Sequence, residues 1–289
     1  MKKIGFIGVG VMGKSMVRNL MKKGFDVSVY TRHKEKITDV LDEGAHWCDS
    51  VEACAKEKDC IITIVGYPTD VEEVYFGEKG IICNAASGCY LIDMTTTAPS
   101  QALRIYEAAK ARGISSLDAP VSGGDSGARA GTLSIMVGGD KDAFEACMPV
   151  FEAMGTHIVY EGPAGFGHHT KMANQIALGG AIAGVCEAIS YGRSVGLDVG
   201  RMLDSISKGA AGSWQMTNNG PKMLVEDFRP GFFVKHYVKD LRIASEESEA
   251  VHLKLSVLKD VLQMYETLQE RGMGDLGTQA LIRYYQDAQ

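Results

Sequence analysis

Proline is scarce, 7 in 289 residues, and the 7 cysteines contain no Cys-x-x-Cys pair. The cysteine count is odd, and none of Cys48, Cys54, Cys60, Cys83, Cys89, Cys147 and Cys186 stands at a metal-ligand spacing from a histidine. Neither a disulfide framework nor a zinc module is indicated, which leaves reduced thiols in a cytoplasmic protein. No charge of one sign dominates: 30 Lys and Arg are mixed along the chain with 36 Asp and Glu, for a net charge of −6. There is thus no basic footprint for nucleic acid or an anionic membrane. A long hydrophobic run is missing too. The longest, Ile176 to Cys186, has eleven residues rich in Gly and Ala, too few to cross a bilayer and suited to a buried helix. Met1-Lys2-Lys3-Ile4 leads straight into a strand pattern, without the apolar core and cleavage site of a signal peptide. The expected partner is a small molecule or another protein.

What the chain has in excess is glycine, 34 residues against a usual share of about 7%. The excess follows no Gly-X-Y period, and at roughly 150 residues per domain the length suggests two domains. Up to about Glu161, short β-rich runs (Ile4 to Ile7, Val27 to Tyr30, Cys60 to Val65, Tyr90 to Asp93, Ser116 to Asp118, Leu133 to Val137, His157 to Tyr160) alternate with helical patterns. The helices are expected over Met12 to Lys23, Lys34 to Glu43, Ser100 to Arg112 and Asp140 to Met154, each stopped by a glycine (Gly24, Gly44, Gly113, Gly155). Such alternation means βαβ units and a mostly parallel sheet covered on both faces. After Gly162-Pro163-Ala164-Gly165 only helices are expected: His168 to Ser194, one or two within Lys239 to Glu270, and Leu276 to Ala288. The division therefore falls at 1–163 and 164–289.

Gly8-Val9-Gly10-Val11-Met12-Gly13 follows a strand and opens a helix at the start of a βαβ unit, the context in which G-x-G-x-x-G marks a dinucleotide site. Gly8 permits the turn, Gly10 lets a pyrophosphate approach, and Gly13 lets helix and strand pack. The helix start at Val11 and Met12 offers unpaired N–H groups to the phosphates. The second strand ends in Thr31-Arg32 with no acid to accept from a ribose 2′-hydroxyl, whereas Arg32 and Lys36 suit a 2′-phosphate. NADP(H) is the expected cofactor, with NAD(H) the alternative.

Four motifs in order, Gly8 to Leu20, Asp118-Ala119-Pro120-Val121-Ser122-Gly123-Gly124, Gly165-x-Gly167-x-x-x-Lys171-x-x-Asn174 and Lys239-Asp240-Leu241, together resemble the β-hydroxyacid dehydrogenase family over essentially the whole chain. The family includes 3-hydroxyisobutyrate dehydrogenase, tartronate semialdehyde (2-hydroxy-3-oxopropionate) reductase and the glyoxylate/succinic semialdehyde reductases. The resemblance implies an α/β Rossmann domain with a mostly parallel sheet, plus an all-α C-terminal domain entered by a long interdomain helix, with an active site in the cleft between them. It implies a homodimer or homotetramer as well.

The same residues make chemical sense. Ser122, Gly123 and Gly124 follow a strand, where consecutive small residues leave backbone N–H groups to hold a substrate carboxylate, with the Ser122 hydroxyl as a further donor. By resemblance Lys171 is the general acid/base. An exposed lysine titrates near 10.4, and desolvation beside the small-residue helix is expected to bring it closer to working pH. Asn174, three residues on, suits the substrate, and Gln175 stands where many relatives have a second Asn. By resemblance Lys239 and Thr96 contact the cofactor, and Val65 in the loop Val65-Gly66-Tyr67-Pro68 adds backbone contacts. His168-His169 does not read as a metal site, because adjacent helical side chains diverge by about 100° and no carboxylate or cysteine recurs at i+4. Trp214, Phe232, Phe233 and Tyr237 are pocket wall or core. An imine reductase of the same fold would replace the lysine, and a 6-phosphogluconate dehydrogenase would carry Lys-x-x-His-Asn in place of Lys171-Met172-Ala173-Asn174-Gln175. A cofactor-binding regulator without turnover is the non-enzymatic alternative, disfavoured by Ser122 and Lys171.

Overall fold

In a computed structural model, which describes residues 1–286, the chain divides into two compact units, Met1–Lys171 and Met172–Gln289. The first is built on strands β1 (Lys3–Ile7), β2 (Asp26–Tyr30), β3 (His46–Trp47), β4 (Cys60–Thr63), β5 (Tyr90–Asp93), β6 (Ser115–Asp118), β7 (Val121–Ser122), β8 (Leu133–Gly139) and β9 (Gly155–Gly162). They form one sheet in the order β3-β2-β1-β4-β5-β6-β8-β7, with β9 paired to β8. The run from β3 to β6 is parallel, and β8 pairs antiparallel with β6 and β7. The helices of this unit are α1 (Val11–Lys22), α2 (Thr38–Asp42), α3 (Val51–Ala55), α4 (Pro68–Phe76), α5 (Ile81–Asn84), α6 (Pro99–Lys110), α7 (Gly124–Ala130) and α8 (Lys141–Met154).

Both faces of the sheet are apolar because alternate residues of each buried strand serve different cores. Ile4, Phe6, Val27, Val29 and Ile62 pack with Met16 and Leu20 of α1 and Phe144 and Phe151 of α8. Ile7, Ile61 and Leu91 pack on the other side with Tyr75, Ile81 and Ile105. Strand order reverses between β1 and β4, so the carboxyl ends of these strands flank a crevice of the kind in which open α/β sheets bind ligands.

The division falls inside α9 (Phe166–Ser194). The second unit continues with α10 (Val199–Ser207), a π-helical turn at Gln215–Asn219, α11 (Gly220–Leu224), α12 (Val234–Ala250), α13 (Ser256–Glu270), a 3₁₀ turn at Thr278–Leu281 and α14 (Ile282–Gln286). Its core joins Ile182, Val185 and Ile189 with Leu241, Val261 and the edge-on rings of Tyr237 and Tyr265, whose centroids are 4.9 Å apart.

Several local expectations need correction. The helix expected over Lys34 to Glu43 is a 3₁₀ turn, Lys34–Lys36, followed by α2, because buried Ile37 leaves helical geometry at φ −126°. Gly155 does not end α8 in a left-handed turn. At φ −145° it starts β9, where a Cβ would meet the Leu133 carbonyl oxygen at 2.5 Å. The last helix begins later than Leu276, and residues 287 and 288 of that expectation lie outside the described residues. The eleven-residue apolar run belongs to the 29-residue α9, which by length and composition alone is apolar enough to cross a membrane. Gln175 and Glu187 interrupt the run in sequence but do not stop a helix.

Candidate active site

Apart from Lys171 on α9, the candidate residues of the first unit lie at or after the carboxyl ends of strands. After β1, Gly8 takes φ +101°, and its N–H donates to the Tyr30 carbonyl at 3.0 Å. A Cβ at Gly8 would strike the Ile64 carbonyl oxygen at 2.1 Å, and one at Gly13 the Gly8 carbonyl oxygen at 2.3 Å, whereas one at Gly10 would meet nothing within 4 Å. Two glycines thus close the turn and the third leaves open space beside it. Helix α1 starts at Val11 and Met12 with no side-chain cap and no acidic residue in its first turn. A dinucleotide pyrophosphate fits these N–H groups and the positive end of the helix.

The loops after β4 and β5 lie beside this turn: Val65 N–H donates to Thr95 Oγ1 at 3.0 Å, and Thr96, half-buried, follows. After β2, Thr31 is half-buried while Arg32 and Lys36 are exposed. Arg32 Nη1 is 3.1 Å from Asp70 Oδ1, so the cation expected at a 2′-phosphate is held by a carboxylate of α4. The other Asp70 oxygen accepts from Tyr67 N–H at 3.0 Å.

After β6 the chain bends through Pro120 to β7 and then into two consecutive glycines with positive φ, +131° at Gly123 and +62° at Gly124. Only glycine adopts this pair without strain. Ser122 is half-buried, and among the described residues its hydroxyl has no hydrogen-bond partner. Lys171 is 7% exposed, and its Nζ donates to the Val121 carbonyl at 2.8 Å. The ammonium is therefore tied to the residue before Ser122.

The start of the helix that carries Lys171 is anchored by a buried polar cluster that sequence reasoning missed. Asp118 accepts from Gly165 N–H at 2.8 Å and His168 N–H at 2.9 Å, satisfying donors at the start of α9, and its Oδ2 is 3.2 Å from His168 Nδ1. His168 Nε2 lies 2.7 Å from the Thr95 carbonyl oxygen. Burial would raise the Asp118 carboxyl, but His168 and the two N–H groups outweigh it and hold it below the usual carboxylate range. Burial would likewise lower His168, but the bond and charge of Asp118, helped by Asp93, raise it above its ordinary value. Both ring nitrogens thus face oxygen acceptors, an arrangement that favours the protonated ring. Asp93 is pushed up by burial, against the charge of His168 and the bonds from Thr95 and Thr63. His169 is exposed, and the described residues contain no cluster of three or more His, Cys, Asp or Glu placed to hold a metal.

In the second unit Asn174 is half-buried and donates from Nδ2 to Gln175 Oε1 at 2.8 Å. Gln175, 1% exposed, donates from Nε2 to Asp240 Oδ2 at 2.5 Å. Asp240 Oδ1 is 3.0 Å from Lys239 Nζ. Four side chains from α9 and α12 thus form one polar chain. Tyr237 is core, its hydroxyl donating to the Gln175 carbonyl at 2.9 Å. Phe232 and Phe233 are half-buried and Trp214 is exposed.

Two family models match: the NAD binding domain of 6-phosphogluconate dehydrogenase over residues 3–162, and the NAD-binding domain of NADP-dependent 3-hydroxyisobutyrate dehydrogenase over 165–285. The uncharacterized oxidoreductase YkwC of Bacillus subtilis is 54% identical over 98% of this chain and 99% of its own. The NAD-dependent L-serine dehydrogenase of Pseudomonas aeruginosa is 33% identical over 95% of each. Among solved structures, 3-hydroxyisobutyrate dehydrogenase from Salmonella typhimurium superposes with a TM-score of 0.89 at 26% identity, covering 98% of this chain and 99% of that one. Psf3 in complex with NADP+ and 2-OPP gives 0.89 at 25%, covering 99% and 100%.

Proposed function

The chain belongs to the 3-hydroxyisobutyrate dehydrogenase family of NAD(P)-dependent β-hydroxyacid dehydrogenases, and on that premise we propose that it interconverts a short-chain β-hydroxyacid and its semialdehyde or aldehyde acid with NADP(H). The observation that carries the reading is the bond from Lys171 Nζ to the Val121 carbonyl, which joins an acid/base group to the Ser122-Gly123-Gly124 turn. When bound, the nicotinamide supplies or accepts the hydride. Ser122 and the N–H groups of Gly123 and Gly124 hold the substrate carboxylate, fixing which carbon faces the cofactor. Lys171 Nζ gives its proton to the carbonyl oxygen in reduction and takes the hydroxyl proton in oxidation. Asn174 contacts the substrate oxygen, and Gln175, buried and bonded at both ends of its amide, orients Asn174 through Asp240. The cofactor is held by Gly8, Gly10, Val11, Met12 and Gly13 at its phosphates, by Thr31, Arg32 and Lys36 at its ribose, and by Val65, Thr96 and Lys239.

NAD(H) is the second reading, favoured by the Asp70 carboxylate that pairs with Arg32. The proposal includes no nucleic-acid or membrane partner. Support for the latter is that Lys171 and Gln175 of α9 are buried and bonded within the protein. It includes a homo-oligomer too, supported by the exposed apolar Tyr191, Val251, Leu253 and Val257, and a cytoplasmic location. Assay of C2 to C4 carbonyl acids with NADPH and NADH tests the reading. Turnover of one such acid is expected, and no turnover of any would overturn it.

A further inference from the structure

We propose, on the NAD(P)-dependent dehydrogenase reading above, that Thr95 is a positioning residue that couples the loops given to the dinucleotide to the helix that carries Lys171. Thr95 stands two positions beyond β5 and is 1% exposed, and its N–H, hydroxyl and carbonyl are each bonded to a different part of the chain. The N–H donates to Asp93 Oδ1 at 3.0 Å, at the end of its own strand. The Oγ1 accepts from Val65 N–H at 3.0 Å, in the loop after β4 and 30 positions away. The carbonyl oxygen lies 2.7 Å from Nε2 of His168, on α9 and 73 positions away.

Each of these partners is itself fixed. Asp93 is buried, and the oxygen that holds Thr95 also accepts from Thr63 Oγ1 at 2.8 Å, so this end of the junction is tied to the sheet. The loops after β4 and β5 are joined a second time through Gln101, whose Nε2 donates to the Pro68 carbonyl at 2.9 Å and whose Oε1 accepts from Thr97 Oγ1. On α9, His168 is bonded to Asp118, which also holds the N–H groups of Gly165 and His168. The start of that helix has little room to shift, because a Cβ at Gly167 would strike the carbonyl oxygens of Met136 and Asp118.

Buried polar groups that share partners in this way move together, since a group that slips from its partner finds no water to replace it. A dinucleotide that grips Val65 and Thr96 therefore steadies Thr95, and through its carbonyl it steadies His168, three residues before Lys171. By linkage the effect is reciprocal: loosening His168 weakens the dinucleotide. The hydroxyl is the part of Thr95 that can be removed cleanly. Thr95→Val keeps the branched shape and leaves Val65 N–H without its acceptor, whereas Thr95→Ser keeps the acceptor.

The test measures dinucleotide affinity by fluorescence titration, and amide hydrogen exchange over residues 164–171 with and without saturating dinucleotide, on full-length wild type, Thr95→Val and Thr95→Ser. NADPH and NADH are both titrated, and the tighter one is used for exchange. In wild type and Thr95→Ser the bound dinucleotide should slow exchange of the Gly165 and His168 amides. Thr95→Val should bind roughly threefold to tenfold more weakly and, once saturated, show no such slowing. His168→Leu, which removes the ring donor at the far end of the junction, should weaken the dinucleotide as well, and it carries the test if Thr95→Val does not fold. A merely structural threonine would lower Tm yet leave the slowing intact, and that result, no slowing in wild type, failure of Thr95→Ser to restore it, or unchanged affinity in His168→Leu would each overturn the coupling. A wild type that binds neither dinucleotide would instead remove the dehydrogenase reading, and the coupling with it.

Discussion

Lys171 Nζ donates to the Val121 carbonyl at 2.8 Å, one residue ahead of Ser122, although fifty positions of sequence separate the two. The proposed acid/base group and the proposed carboxylate turn are consequently one construction, held by a lysine that is 7% exposed. Changes to either side are expected to separate substrate binding from proton transfer.

On the proposed reading, Ser122→Ala removes a hydroxyl donor to the substrate carboxylate. A hydrogen bond to a charged group is worth about 1.5–3 kcal/mol. Steady-state kinetics should show KM for the acid raised roughly tenfold or more, with dinucleotide Kd unchanged. Gly123→Ala should do more harm, because it forces φ +131° on a residue with a Cβ and brings that atom within 3.2 Å of Leu133. An unchanged KM in both variants would remove the turn from the substrate site.

Arg32→Ala should weaken NADPH binding by roughly tenfold and leave NADH binding nearly unaffected, since only NADPH carries a 2′-phosphate. Asp70→Asn, which weakens the hold on the Arg32 guanidinium, should shift preference further toward NADPH. Fluorescence titration of both cofactors measures this. Equal losses for the two cofactors in Arg32→Ala would contradict the assignment.

Asn174 and Gln175 are neighbours with different expected signatures. Asn174→Ala should raise KM for substrate with little change in Tm. Gln175→Met removes the amide donor of the buried Asp240 carboxylate, and leaving such a group short of a partner costs about 1–3 kcal/mol. It should lower Tm and kcat more than it raises KM, as thermal melts and steady-state kinetics would show. The reverse pattern would make Gln175 the substrate contact.

The Asp118–His168 pair gives stability a pH window. Asp118 titrates below its ordinary value, so its contribution is present above about 3.9 and is lost as pH falls through its lowered value. His168 titrates above its ordinary value, so its contribution is complete below about 6.5 and is lost as pH rises through its raised value. Tm should therefore be greatest between about pH 4 and 6.5 as far as this pair decides it. His168→Gln should lower Tm within that window and flatten the alkaline decline. An unaltered alkaline slope would contradict the charged pair.

Much of this was legible in the sequence because it is local. The β1 to α1 turn announces itself by three glycines at fixed spacing, and strands such as Tyr90 to Asp93 by apolar runs covered on both sides. The strands β3 and β7 are two residues each, too short for any alternation, and owe their geometry to β2 and β8. Ile37 interrupts a good helical pattern only because the core takes it up. The Asp118–His168 and Gln175–Asp240 bonds join positions 50 and 65 residues apart, so no local pattern could announce them. Nothing local in His168-His169 announces that the first of the pair is bonded to Asp118 and anchors the helix carrying Lys171.

The most direct measurement is turnover by Lys171→Ala, with dinucleotide affinity determined on the same preparation. General acid/base catalysis contributes typically 10²–10⁴-fold, so kcat should fall by at least about a hundredfold while NADPH Kd stays within about twofold. Turnover within about tenfold of wild type would contradict the role given to Lys171, and with it the chemistry assigned to this site.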